Sequence, residues 1–384
     1  MSLEELQRAQ SAIRDQGVDV ALISSIANLT YVTGVEVALP VGAGFEMAYA
    51  PWLAVVSGSD AGLVSGGEAG GMGVAGNGFE LFTIEGFDSN QPTDPGGTYA
   101  MQLKAALSAA GGTGGTGTIG VESRSLPFVA GEIIRAALPN WTIVDIEPAL
   151  IKARWNKTER EIGLLRRASA VSDIAQRTLA ELAHSAGQNE IEMFTEISRR
   201  AFEAAGGAIP LTGELVTGPR TTVVAYPAGP KNRVTEPGDG ALMDLSGRVN
   251  GYWFDCTNTH VIGGVEPTGE QRRYARASQA ACEAAMAALK PGNKASDASA
   301  AAAAAFASFG LPNAHYTGHQ IGVTVNELPR LVPYDHTVIE KGMVFSVEPG
   351  AYQGPGGTFG SRSEKMVLVR EDGPEILSQF DWGI

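Results

Sequence analysis

Cysteine and histidine are scarce in this chain. Its 384 residues include two cysteines, Cys256 and Cys282, and five histidines. One cysteine adjoins an aspartate in an apolar run and the other lies in an Ala-rich stretch. Neither a disulfide framework nor a paired-cysteine zinc site can be built from them, and Cys256 is expected to be a small core residue. Positive charge is also in short supply: 28 Lys and Arg against 42 Asp and Glu leave a formal charge of −14 and a pI near 4.9. That balance argues against nucleic acid or an anionic membrane as a main partner. No uninterrupted apolar run approaches the ~20 residues of a membrane span. The opening MSLEELQRAQ has neither the basic nor the apolar region of a secretory leader. An acidic, soluble, cytoplasmic protein is expected.

What the chain does have is enough length and enough apolar residues, 44%, for two domains and a large core. Residues 1–148 read as an α/β domain, with a helix at 3–16, strands at 18–24, 52–56 and 118–121, and a helix at 99–110. The Gly-rich runs at 65–78 and 111–117 read as loops. The second contains G-x-G-x-x-G but precedes a strand, whereas a dinucleotide-binding loop follows one. Residues 149–384 read as α+β. Thr158-x-x-Glu161 is a capping box that opens a long helix reaching toward Gly187, and a second helix covers 190–205. Strands follow, then helices at 268–289 and 296–308, then strands across 315–370. The order helix, helix, strands occurs twice, as in a duplicated unit.

The stretch ALMDLSGRVNGYWFDCTNTH, residues 241–260, reads as two strands joined at Asn250-Gly251, a tight-turn dipeptide. Pairing about that turn is expected to set Asp244 directly opposite Asp255, with Cβ atoms roughly 5 Å apart. Two facing carboxylates repel. Protonation of one, splaying into water, or a multivalent cation between them would each relieve this. A second such pair occurs in GMVFSVEPGAYQGPGGTFGSRSEKMVLV, residues 342–369, where Glu348 and Glu364 sit on apolar strands centred on Gly356. A glutamate among Val344, Phe345, Val347 and Met366 is costly unless neutralised. With His319 of HYTGHQIG, these carboxylates are the donors that a pair of first-row divalent ions requires. Oxygen-rich ligands favour manganese, with cobalt, iron or zinc as alternatives. Two ions sharing a hydroxide would supply a nucleophile near neutral pH.

The spacing of Asp244 and Asp255, followed by GHxxG, VEPGxY and RxE, resembles the pita-bread metallopeptidases, which include aminopeptidase P, prolidase and the metal-free creatinase. RAQSAIRDQGVDVALISSIANLTYVTGV resembles the start of the N-terminal domain in that branch, and IKARWNKTEREIGLLRRAS the approach to its catalytic domain. The resemblance covers nearly the whole chain. It implies a creatinase-like N-terminal domain, a pita-bread catalytic domain and a homodimer. It also implies that Asp244 chelates one metal, Asp255 and Glu364 bridge two, and His319 completes the other site. Glu348 is implied as both ligand and catalytic proton shuttle, His315 as a catalytic and substrate-contacting residue, and Arg362 as a partner that orients the ligating carboxylates.

Two histidines usual in the family's peptidases are replaced, by Tyr226 and Asn326. Both replacements are expected to line the substrate site; they keep hydrogen-bond donors but lose an imidazole that titrates near neutrality. His260 is expected to be structural. The function expected is hydrolysis of a C–N amide bond in a small peptide, as an Xaa-Pro dipeptidase or aminopeptidase. The alternatives are a metal-dependent hydrolase or lyase of a small non-peptide substrate, or a non-catalytic binding protein.

Overall fold

In the computed structural model, which describes residues 3–42, 47–224 and 229–384, the chain divides into two compact units, Met1–Arg154 and Trp155–Ile384. Tyr226 lies outside the described residues.

The first unit is built on a six-stranded mixed sheet. Its elements run α1 (Glu4–Asp15), β1 (Val20–Ile23), α2 (Ile26–Thr33), β2 (Leu53–Ser57), β3 (Ala61–Ser65), β4 (Glu80–Thr83), α3 (Pro95–Ala109), β5 (Thr118–Val121), α4 (Phe128–Ala137), β6 (Thr142–Asp145) and α5 (Glu147–Ala153), with strand order β4-β3-β2-β1-β5-β6. Strands β1, β2 and β3 are buried along their whole length. That explains why they read as continuous apolar runs rather than alternating ones. Leu6, Ala9 and Ile13 form the buried stripe of α1, the helical spacing expected of an amphipathic surface helix. The Gly-rich run at 65–78, expected as a plain loop, folds into short 3-10 segments at Gly67–Met72 and Val74–Asn77.

The second unit begins with α6 (Glu159–Ala183), opened by the expected Thr158/Glu161 capping box, and α7 (Glu190–Ala205). A three-stranded antiparallel sheet follows, β7 (Leu211–Thr217), β8 (Gly240–Val249) and β9 (Tyr252–Val261). Next come α8 (Gly269–Ala288) and α9 (Ala295–Ser308). The remaining strands are β10 (Gly318–Gln320), β11 (Glu327–Arg330), β12 (Val344–Val347), β13 (Gly350–Tyr352), β14 (Gly360–Arg362), β15 (Lys365–Arg370) and β16 (Gly373–Ile376). They form a five-stranded sheet, β11-β10-β12-β15-β16, and a two-stranded one, β13-β14. Helix α6 stops at Ala183 rather than near Gly187. Its Gln176 Nε2 donates to Cys256 O at 2.7 Å, and Cys256 is fully buried. Burial pushes that thiol up to about 12, which suits an inert core residue.

The β8–β9 hairpin corrects the expected register. Asn250 and Gly251 both take positive φ, 51° and 87°, the two-residue turn that matches strand twist. That turn sets Val249 against Tyr252, so Asp244 faces Thr257 and Asp255 faces Ser246. The aspartates share a face but are offset diagonally by two residues, which relaxes their repulsion relative to direct opposition. The other pairing follows the reading. Val347 faces Lys365 on one side of the carboxylates and Gly350 faces Arg362 on the other, so Glu348 and Glu364 occupy matching positions on adjacent chains.

His260, on β9, is buried, and its Nε2 has no hydrogen-bond partner. Burial, with His184 adding to it, pulls its pKa down to about 4. The unfolded chain therefore binds a proton below pH ~6.5 that the folded chain refuses. His260 adds no proton-linked cost at neutral pH and costs stability as pH falls from about 6.5 toward 4. Replacing it in the variant His260→Leu is expected to flatten the acid limb of urea-unfolding stability by about 2 kcal/mol between pH 7 and pH 4.5. Parallel pH profiles for the two proteins would refute this.

Candidate metal centre

Five donors converge from five strand positions of the second unit. Asp244 and Asp255 project from β8 and β9, and His319 is the central residue of β10. Glu348 falls between β12 and β13, and Glu364 between β14 and β15. The interruption has a local cause: Pro349 has no N–H and cannot continue a ladder. The two glutamates thus sit at a break in one long hairpin rather than inside a flat sheet. Gly318 permits the approach of β10, because a Cβ there would stand 2.2 Å from Ser346 O.

Ligand atoms of Asp255, His319 and Glu364 all lie within 4.8 Å of one another, and all three residues are buried. His319 Nε2 is 3.2 Å from Glu348 Oε1 and 3.6 Å from Asp255 Oδ2. Its Nδ1 donates to Gln320 O at 2.8 Å, which aims Nε2 at the carboxylates, as a metal-binding imidazole requires. Strand β10 is stiffened beside this point: Lys157 Nζ, fully buried, bonds Gln320 Oε1 and Glu327 Oε2, each at 3.0 Å.

The carboxylates are held by a sparse set of donors. Ser246 Oγ donates to Asp255 at 2.8 Å and Thr257 Oγ1 to Glu364 at 2.7 Å. Arg362, expected as the orienting partner, donates from Nη2 to Asp244 at 2.7 Å, from Nε to Thr257 Oγ1 at 3.2 Å and from Nη1 to Tyr352 Oη at 3.0 Å. It also bonds Glu214. Glu214 lies opposite Asp244 on β7 and is a site residue the sequence reading missed. The available signal was a lone glutamate inside LTGELVT. Tyr316, Tyr352 and Thr257 were missed as well.

Burial first, then the charges of Asp255, Glu348 and Asp244, raise the pKa of Glu364 well above the carboxylate range. Asp244 is raised too: burial and neighbouring carboxylates outweigh Arg362. Burial alone would raise Glu348 and lower His319. Their shared hydrogen bond reverses both, lowering Glu348 and lifting His319, which Asp255 also bonds, to about 10. Glu364 Oε1 is buried without any hydrogen-bond partner. A buried anion left in that state costs several kcal/mol. The donor set therefore fits divalent cations: hard oxygen ligands plus one imidazole, converging with an unspent lone pair.

The substrate-side residues are partly gathered. His315 stays out of the donor cluster, with Nδ1 on Tyr316 O at 2.8 Å and Nε2 on Tyr352 Oη at 3.2 Å. Burial lowers its pKa against the pull of Glu348. Asn326, just before β11, reaches Tyr316 Oη at 3.4 Å.

This fold and cluster are those of a metal-dependent hydrolase family. Residues 163–371 match the model for metallopeptidase family M24 and residues 5–155 the creatinase/prolidase N-terminal domain. The chain belongs to family M24, with the creatinase-type N-terminal domain and the pita-bread fold that the resemblance implied. It is 27% identical over 238 residues to the Xaa-Pro dipeptidase of Pyrococcus furiosus, covering 62% of this chain and 66% of that one. It is 34% identical over 227 residues to the probable dipeptidase PepE of Mycobacterium tuberculosis, covering 58% of each. The matched span is thus less than two thirds of these curated relatives. Among solved structures, the Xaa-Pro dipeptidase from Bacillus anthracis superposes with TM-score 0.80 at 22% identity, over 99% of this chain and 98% of that one. The N-terminal domain of FACT complex subunit SPT16 from chickpea superposes with TM-score 0.74 at 14% identity, over 98% and 96%. Such likeness establishes the fold alone.

Manganese at about 100 times its dissociation constant is expected to stabilise the protein by ~2.7 kcal/mol, read as a rise in melting temperature. The variant Glu364→Gln should lose that rise. Its metal-free form should melt no lower than the metal-free wild type, because the amide is neutral, like the protonated carboxyl that burial and the neighbouring carboxylates favour. An equal metal-induced rise in both proteins would exclude Glu364 from the site.

Proposed function

We propose that the chain is a dinuclear metal-dependent hydrolase of C–N amide bonds, acting on Xaa-Pro dipeptides or the N-terminal residue of Xaa-Pro peptides. The observation that carries the reading is that ligand atoms of Asp255, His319 and Glu364 lie within 4.8 Å of one another, with Glu348 against His319 and Glu364 Oε1 unpartnered. The names of the relatives support the substrate class. Those five residues would hold two ions, with Asp255 and Glu364 shared, and the oxygen-rich set favours manganese. When bound, the ions supply a water-derived nucleophile at neutral pH and polarise the carbonyl.

The chain's own groups do the rest. Glu348 accepts a proton from the attacking water as the new C–O bond forms and returns it to the leaving nitrogen as the C–N bond breaks. Arg362 keeps Asp244 oriented, and through Tyr352 it braces His315. The setting proposed is a cytoplasmic homodimer, in keeping with the charge of −14 and with the absence of any helix, among the described residues, long and apolar enough to cross a membrane. Asn326, in the place of an imidazole, favours a second reading, a small non-peptide amide or lyase substrate.

Protein purified without chelator and reloaded with manganese is expected to carry two ions per chain by plasma mass spectrometry and to release proline from alanyl-proline. Asp255→Ala should lose both metal and turnover. Full turnover by that variant would sink the proposal. Two ions per chain without proline release would move the reading to the small-molecule substrate.

A further inference from the structure

Beside the carboxylate cluster runs a chain of polar side chains outside the donor set. Arg330 Nε donates to Asn326 Oδ1 at 3.0 Å. With its oxygen taken by a guanidinium, the amide must turn Nδ2 the other way, and Nδ2 donates to Tyr316 Oη at 3.4 Å. The Tyr316 ring packs against both imidazoles, 6.0 Å from that of His319 and 5.8 Å from that of His315. Tyr316 is 37% exposed, whereas Asp255, His319, Glu348 and Glu364 are buried. It therefore stands on the open side of the cluster, where a substrate arrives.

Two features decide how this phenol can act. Asn326 occupies its oxygen as a donor, so what Tyr316 has left to give is its proton. A phenol keeps its proton across the physiological range, so the hydroxyl is available as a donor. The other donors nearby are committed. His315 uses both nitrogens on Tyr316 O and Tyr352 Oη, Arg362 is spread over Asp244, Glu214, Thr257 and Tyr352, and Ser246 and Thr257 each serve one carboxylate. The Tyr316 proton, on the ring that packs against both imidazoles, is the donor on this side that an incoming carbonyl oxygen can engage.

We propose that Tyr316 is a catalytic residue, donating a hydrogen bond to the carbonyl oxygen of a bound amide as that oxygen gains negative charge, with Asn326 and Arg330 as the positioning residues that orient it. The role rests on the amide-hydrolase reading above. No proton is transferred from Tyr316: the hydroxyl stabilises charge that develops in the transition state and keeps its hydrogen throughout.

The test uses the manganese-loaded full chain, alanyl-proline as substrate and its phosphinic isostere as a probe, whose tetrahedral P–O⁻ mimics the attacked carbonyl. In Tyr316→Phe, kcat is expected to fall about a hundredfold while KM moves less than about threefold and the metal content is unchanged. Calorimetric affinity for the phosphinate is expected to fall at least about tenfold. Asn326→Ala should lose less, and adding it to Tyr316→Phe should cost nothing further, because it acts through the phenol. A Tyr316→Phe protein within about twofold of wild type in both kcat and phosphinate affinity overturns the assignment and leaves the hydrolase reading standing. Loss of metal from that variant overturns it as well, by making Tyr316 structural. A wild type that neither releases proline nor binds the phosphinate overturns the hydrolase reading, and the role of Tyr316 with it.

Discussion

Four carboxylates pressed together in a low-dielectric interior repel one another, and much of the second unit reads as the management of that repulsion. Asp244, Asp255, Glu348 and Glu364 face a common point with Arg362 and His319 as the nearby cations. Serine and threonine hydroxyls take up individual lone pairs, and Arg362 spans two strands to reach both Asp244 and Glu214. The balance is incomplete. The pKa of Glu364 rises and one of its oxygens finds no donor. A fold optimised for stability alone would not keep such a cluster; one that stores binding energy for a multivalent cation would.

The secondary structure is arranged to hold that strain in place. Each of these residues lies on or at the end of a strand, and the strands are pinned by packing rather than by loops. Helix α6 covers the back of β8 and β9 through Gln176 and Cys256. The buried Lys157–Glu327 pair, with Gln320, stiffens β10 next to His319. Carboxylates fixed in this way cannot splay into water, so protonation or cation binding is the relief left open to them. Glu348 is held by His319, a contact that lowers its pKa against the pull of burial.

Much of this was legible in the residues themselves. The capping box at Thr158 marked a helix start, because capping is a local interaction between near neighbours. The apolar neighbours of Glu348 and Glu364 exposed them as costly, and their pairing about Gly356 follows from chain geometry. The β8–β9 register was misjudged by two residues, though the face was right, since strand alternation survives an even shift. Glu214 escaped notice because its meaning depends on Arg362, 148 positions away, and on a strand pairing that no local pattern announces. Tyr316 and Tyr352 escaped for the same reason.

By itself the sequence indicated most helix and strand positions and the two-part α/β and α+β organisation, and it singled out Asp244, Asp255, His319, Glu348 and Glu364 as the expected donors. These depend on capping, alternation and the cost of a charge among apolar neighbours, all of which act over a few residues. Only the tertiary structure decided that Glu214 shares Arg362 with Asp244, that Thr257 holds Glu364, and that Glu364 keeps a bare oxygen. Those are contacts between strands far apart in the chain, set by which surfaces pack, and local sequence carries no record of them.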